Sequence, residues 1–182
     1  MADITSFCED IKSKYSPCDV SDCLLTLKVH GAGYLADIGP IPSHLHGKNR
    51  IVAPVSTIIF VAKDHQPGKD SSIPKASNLP KDKHWTDVAP PGSVILMQQP
   101  AHQIVAVLGD IVATRYKQRG ILAAVVDGRV RDNASCGDLC AEGKVFKSGR
   151  NACRRWGRVC KRDRGLRMFR SAWEGWKSIL GM

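Results

Sequence analysis

The sequence predicts one α/β domain followed by a divergent tail, and three observations carry that prediction. Ile51 to Ala62, IVAPVSTIIFVA, is almost wholly apolar and rich in β-branched residues, the pattern of a buried strand. Leu108 to Val126, LGDIVATRYKQRGILAAVV, reads as a helix closed by Gly120 and followed at once by a second apolar strand. That strand delivers Asp127, Gly128, Arg129, Arg131 and Asp132 at its carboxyl end, where open α/β sheets place their ligand chemistry.

From the N-terminus, residues 4 to 14 form a short helix. Cys18 to Val29 form a second, with Asp19 or Ser21 as N-cap, Leu24, Leu25 and Leu27 as its apolar residues, and Gly31 and Gly33 ending it. After the Ile51–Ala62 strand, Lys63 to Pro91 is polar and holds Pro67, Pro74, Pro80, Pro90 and Pro91, which makes it a long loop. Val94–Met97 and Ile104–Leu108 are short strands separated by a turn at Gln98–Gln103. Ile111 to Arg119 is helical, with Ile111, Val112 and Tyr116 at core-compatible spacing, and Ile121 to Val126 is the following strand. Past Asp132 the character changes. Residues 133–182 carry four of the seven cysteines and three of the four tryptophans, with helical spacing only from about Leu166 to Leu180. This break resembles the composition of an out-of-frame or alternatively spliced read, which transcript sequencing through codon 133 tests.

At 182 residues the chain is long enough for one domain with a core and short for two. Nothing approaches the eighteen or so consecutive apolar residues of a membrane span. The start, MADITSFCEDIKSKY, has acids where a secretion signal needs a basic and then an apolar run. The seven cysteines lack CxxC pairing, so they read as reduced thiols of a cytoplasmic protein. The net charge of +10 sits mainly in the tail: residues 1–132 hold 15 Lys/Arg and 13 Asp/Glu, residues 133–182 hold 12 and 4. Specific nucleic-acid binding is therefore not expected of the domain.

The chemistry concentrates between Leu108 and Asp132. Gly109 and Asp110 open a helix, whose first N–H groups lack intrahelical acceptors and suit an anion. Arg131 adds a cation, and Asp132 a carboxylate able to hold a hard metal ion. Asp110 reads equally as a helix N-cap or a base. Asp127 and Gly128 read as a turn, and Arg129 as a residue that points away from Arg131 or pairs locally. His44, His46, His65, His84 and His102 fall in loops without metal-ligand spacing, and Cys136, Cys140, Cys153 and Cys160 fit no usual zinc knuckle.

The segment VVDGRVRD at 125–132, preceded by LGDIVATRYKQRG at 108–120, resembles the RraA-like family, which includes 4-hydroxy-4-methyl-2-oxoglutarate aldolases. CDVSDCLL at 18–25, APVSTIIFV at 53–61, NLPKDKHWTD from 78 and PPGSVILMQQP to 100 agree with that family in order, the last two with its fungal members. The resemblance covers roughly residues 5–132. It implies a β/β/α swivelling-type domain, incomplete at its C-terminal end, that assembles as trimers or hexamers if the tail permits. It further implies Mg²⁺ or Mn²⁺ at Asp132, a substrate keto acid at Arg131, and a pyruvate carboxylate held at Gly109, Asp110, Ile111 and Val112. The implied activity is cleavage of 4-hydroxy-2-oxo acids to pyruvate, with oxaloacetate decarboxylation alongside. Such cleavage leaves a pyruvate enolate, whose charge a metal and Arg131 would stabilise, while Asp110 or a metal-bound water takes the C4 hydroxyl proton. The family pattern also has an acid three positions after the aspartate, where this chain has Ser135. The alternative is a non-catalytic, protein-binding regulator or an inactive truncated homologue.

Overall fold

A computed structural model describes residues 4–35, 38–41, 50–62, 79–100, 102–141 and 147–151. The segment Leu166–Leu180, most of the Lys63–Pro91 loop, His44, His46, His65, Cys153 and Cys160 lie outside the described residues. The described chain falls into two units, residues 4–35 and the residues from 38 onward.

In the first unit, α1 spans Ile4–Lys14 and α2 spans Pro17–Thr26. The N-cap of α2 is Ser16 rather than Asp19 or Ser21. Ser16 Oγ accepts from the Asp19 N–H at 3.2 Å, and Asp19 Oδ2 accepts from the Ser16 N–H at 2.7 Å. Pro17 at the first helical position explains the earlier start, because it gives up an N–H that would have no helical acceptor. The helix stops at Thr26, and Lys28 turns left-handed at φ 57°. Gly31 and Gly33 therefore serve the following turn, not the helix end.

The second unit is built on one five-stranded sheet. Its strands are β1 (Ile38–Ile41), β2 (Val55–Ile59), β3 (Val94–Gln98), β4 (Ala123–Asp127) and β5 (Lys147–Asn151), in the order β1-β5-β4-β3-β2. β2, β3, β4 and β5 run parallel, with Val55 opposite Val94, Val94 opposite Ala123 and Ala123 opposite Lys147; β1 joins β5 antiparallel. α3 (Asp110–Gln118) connects β3 to β4, and α4 (Asn133–Ala141) connects β4 to β5, the crossovers that parallel neighbours require. The predicted α/β class is thus borne out.

The core forms where β3 and β4 meet α3. Ile95, Met97, Ala124 and Val126 from the strands pack with Ala113, Tyr116 and Cys136 from the helices. α3 ends as predicted. Gly120, at φ 76°, lets its own N–H reach Lys117 O at 3.1 Å and the Ile121 N–H reach Tyr116 O at 3.0 Å, closing a Schellman motif.

Further sequence expectations change. The Ile51–Ala62 strand narrows to β2 and lies at a sheet edge, so Val55 and Ile59 are exposed instead of buried. Ile104–Leu108 is not a strand: only Leu108 bridges, to Val130, while Ile104 and Val105 face solvent. Ile111 is 74% exposed, because α3 presents Ala113 and Tyr116 to the core and turns Ile111 away. The ordered fold also continues past Asp132. Leu139 and Cys140 of α4 pack on the core, and β5 fills the place between β1 and β4.

Candidate functional site

The site is assembled by a short parallel pairing at the carboxyl ends of β3 and β4. The Val107 N–H donates to Arg129 O, and the Arg131 N–H donates to Leu108 O, each at 3.0 Å, on either side of the Leu108–Val130 bridge. This pairing draws the start of α3 beside the end of the D-G-R-V-R-D turn. Gly109, the N-cap of α3, is where the two meet. A Cβ there would lie 2.7 Å from Asp132 Oδ2 and 2.9 Å from Arg131 Nε. Only a glycine lets the carboxylate and the guanidinium come that close to the helix start.

All six predicted site residues, Gly109, Asp110, Ile111, Val112, Arg131 and Asp132, therefore fall in one place. Their roles differ in detail from the sequence reading. Asp110 is the first helical residue rather than the N-cap, since Gly109 holds that position. Asp110 Oδ1 accepts the Ile111 N–H at 2.7 Å, and Asp132 Oδ2 lies 3.5 Å from the Asp110 N–H. Val112 adds a third first-turn N–H, which has no acceptor within the helix. Arg131 Nε pairs with Asp132 Oδ2 at 3.2 Å, with both side chains open to solvent. The chain's own carboxylates thus already engage Arg131 and the N–H groups of Asp110 and Ile111.

Asp132 has a left-handed backbone, φ 58°, which is uncommon outside glycine and tolerated best by Asn and Asp. Its carbonyl accepts the Cys136 N–H at 2.9 Å, so the same residue begins α4. Burial, reinforced by the charges of Asp132, Cys140 and Asp110, pushes the Cys136 thiol up to about 11. Cys136 is therefore a neutral packing residue at ordinary pH and a poor metal ligand. The described cysteines form no disulfide.

Among the described residues no group of three or more His, Cys, Asp or Glu gathers to cage a metal. The donors near the α3 start are the carboxylates of Asp110 and Asp132. That set fits a hard divalent cation of the Mg²⁺ type, which takes few protein oxygens and keeps its remaining positions for water or substrate.

Two features escaped the sequence. Gln99, read as a turn residue, is a buried connector whose amide reaches Val105 O at 2.5 Å. Asp87 clamps α3: Arg115 grips it with two hydrogen bonds, from Nε at 2.8 Å and Nη2 at 2.5 Å, and Arg119 Nη2 donates to its carbonyl at 2.9 Å. A buried glutamine at a strand end and an ion pair 28 residues apart leave no periodic signal. His84 accepts the Thr86 N–H and contacts the Thr86 hydroxyl, a capping role rather than a metal-binding one. Arg129 Nε donates to Gln103 O at 3.2 Å.

A family model described as RraA-like, Aldolase/RraA, matches residues 17–158. No curated protein matches the chain. Solved structures share the fold, among them the following three. One is an uncharacterized protein from Pseudomonas syringae pv. tomato str. DC3000, at 23% identity and TM-score 0.55, covering 82% of this chain and 59% of that one. Another is Streptomyces coelicolor RraAS2, described as an unusual member of the RNase ES inhibitor RraA protein family, at 20% identity and TM-score 0.53, covering 79% and 62%. A third, described as novel cellulases from microbes associated with the gut ecosystem, matches at 12% identity and TM-score 0.55, covering 82% and 59%. The chain thus spans about three fifths of the length of these structures.

Proposed function

The chain belongs to the RraA-like family, and from that premise we propose that it is a divalent-metal-dependent aldolase cleaving 4-hydroxy-2-oxo acids to pyruvate, with oxaloacetate decarboxylation as a second outcome. The observation that carries this reading is the convergence of the α3 N-terminus, Arg131 and Asp132 around Gly109. We assign the substrate carboxylate to the first-turn N–H groups of Asp110, Ile111 and Val112, where the helix dipole favours an anion. Arg131 then faces the keto acid oxygens with a planar, two-pronged donor. Asp132, with Asp110 near it, is the oxygen donor for Mg²⁺ or Mn²⁺. When bound, that ion supplies Lewis acidity to the 2-oxo acid group.

Binding requires an exchange at these residues. The ligand carboxylate takes over Arg131 and the Asp110 N–H from Asp132, and Asp132 is freed to act as a metal ligand. We assign acceptance of the C4 hydroxyl proton to the Asp110 carboxylate, once it releases the Ile111 N–H. Oxaloacetate needs only stabilisation of the enolate charge, so the same residues serve both outcomes. We further propose a homo-oligomeric, cytoplasmic protein; among the described residues no helix is long and apolar enough to cross a membrane.

A second reading, a non-catalytic protein-binding regulator, is favoured by one departure. Ser135 stands where the family pattern has an acid, and it lies exposed in the first turn of α4, three residues after Asp132. Oxaloacetate decarboxylation with and without Mg²⁺ separates the two. The enzyme reading expects Mg²⁺-dependent pyruvate release that Arg131→Ala and Asp132→Ala each abolish. No turnover by well-folded protein leaves the regulator.

A further inference from the structure

Gln99 follows β3 and is only 6% exposed. Its side-chain amide donates to Val105 O at 2.5 Å, its Oε1 accepts the Arg129 N–H at 3.0 Å, and its own N–H donates to Asp127 O at 3.0 Å. One buried carboxamide thus joins the loop leading into α3 to the turn leading out of β4. Gly128 is shaped to this side chain. A Cβ at Gly128 would stand 2.8 Å from Gln99 Oε1 and 2.9 Å from Gln99 Cβ. Gly128 is not among the positive-φ residues, so the glycine serves close approach rather than turn geometry.

The rungs that follow lead to the candidate site. Val107 bonds to Arg129, Leu108 bridges to Val130, and Arg131 bonds to Leu108. Gly109 and Asp132 come next on the two strands of this ladder. We propose that Gln99 is a positioning residue of the candidate site, setting the distance between the α3 N-terminus and the Arg131–Asp132 pair. The assignment rests on the function proposed above for its effect on ligands, though not for its effect on the ladder.

A carboxamide is required because one side needs an acceptor and the other a donor. Methionine fills the space and satisfies neither. An ionised glutamate accepts from Arg129 but sets its other oxygen against the Val105 carbonyl. A protonated glutamate restores both contacts, and burial raises its tendency to hold that proton. Misplacing reacting groups by about 1 Å can cost roughly 100-fold.

The experiment uses the full chain with Gln99→Met and Gln99→Glu, and Ile95→Val as a core-trimming control. Oxalate, a mimic of the pyruvate enolate, is titrated calorimetrically in Mg²⁺, and amide hydrogen exchange is followed at Val107 and Arg131. We expect Gln99→Met to weaken oxalate binding by about tenfold or more and to speed exchange at both amides. We expect Ile95→Val to leave both unchanged at a comparable loss of melting temperature. Gln99→Glu should regain oxalate affinity as pH falls from about 8 to about 5.5, a recovery that a merely structural role would not produce. Unaltered exchange at Val107 and Arg131 in folded Gln99→Met overturns the positioning role. Absence of oxalate binding by the wild type overturns the functional reading, while the exchange measurement still decides the role of Gln99.

Discussion

Asp132 combines three demands in one residue. Its backbone is left-handed, its carbonyl starts α4, and its carboxylate lies between Arg131 and the first N–H of α3. The left-handed conformation costs an L-residue about 1–2 kcal/mol, a strain of the kind that accumulates at functional positions. Asn tolerates the same conformation, so Asp132→Asn keeps the backbone while removing the charge that competes for Arg131. Without divalent ions, that variant should bind oxalate several-fold more tightly than the wild type, on the order of one lost charge-assisted contact, and Mg²⁺ should no longer help it. Calorimetry checks both; weaker oxalate binding by Asp132→Asn would show that Asp132 does not occupy the anion's place. At this scale the sequence was most legible. Residue type together with the family resemblance singled out Arg131, Asp132 and the G-D helix start, and the fold brings these residues together around Gly109; the roles assigned to them are the proposal. Gln99 was illegible because its role exists only once residues 105 and 129 are adjacent.

At the scale of elements, α3 decides the geometry of the site and is held from its other end. Arg115 binds Asp87 with both prongs, and the Arg119 Nε stands 3.6 Å from the same carboxylate, an ion pair too long for a hydrogen bond. The Arg115 guanidinium holds the Asp87 carboxyl below its ordinary value of 3.8. A carboxyl lowered in the folded state adds stability that is complete above the unfolded value and lost as pH falls through the folded one. Acid titration of unfolding should therefore show a loss of stability below about pH 4 that is smaller in Asp87→Asn. An identical acid profile in that variant would contradict the clamp. Tyr116, between Trp85 and the sheet, is fully buried, and its hydroxyl has no partner among the described residues. Burial raises its phenol above the ordinary value. Tyr116→Phe removes an unsatisfied hydroxyl and keeps the ring, so chemical unfolding should find it more stable by about 1 kcal/mol; destabilisation would mean the hydroxyl is satisfied. The elements with a period were readable: α1, α2, α3, β3 and β4 stand within a few residues of their predicted spans. β1, with the sequence IGPI, carries two strand breakers, and β5, KSGRN, has no apolar alternation, so neither declares itself. Both exist because neighbouring strands supply the hydrogen bonds.

For the whole molecule, the α/β frame followed from two apolar strands flanking an amphipathic helix, while the sheet order did not. β5 lies between β4 and β1, a placement that depends on α4 packing Leu139 and Cys140 onto the core. The sequence placed the end of recognisable family character at Asp132, whereas the family match runs to residue 158. Composition changed there before structure did: the turn to Cys, Arg and Gly conceals a helix and a strand that the sheet still uses. The helix and strand add little to the charge of this region: residues 133–151 hold +1 of the +8, and residues 152–182 hold the other +7. What this frame presents at Gly109 is put to the test by aldol cleavage. Wild-type protein is incubated with 4-hydroxy-4-methyl-2-oxoglutarate, and pyruvate is measured with Mg²⁺ and after chelation. Pyruvate formation should require the metal and fall at least about 100-fold in Arg131→Ala, the scale of losing a preorganised charge-stabilising donor. Pyruvate formation that neither chelation nor Arg131→Ala diminishes would contradict the proposed site.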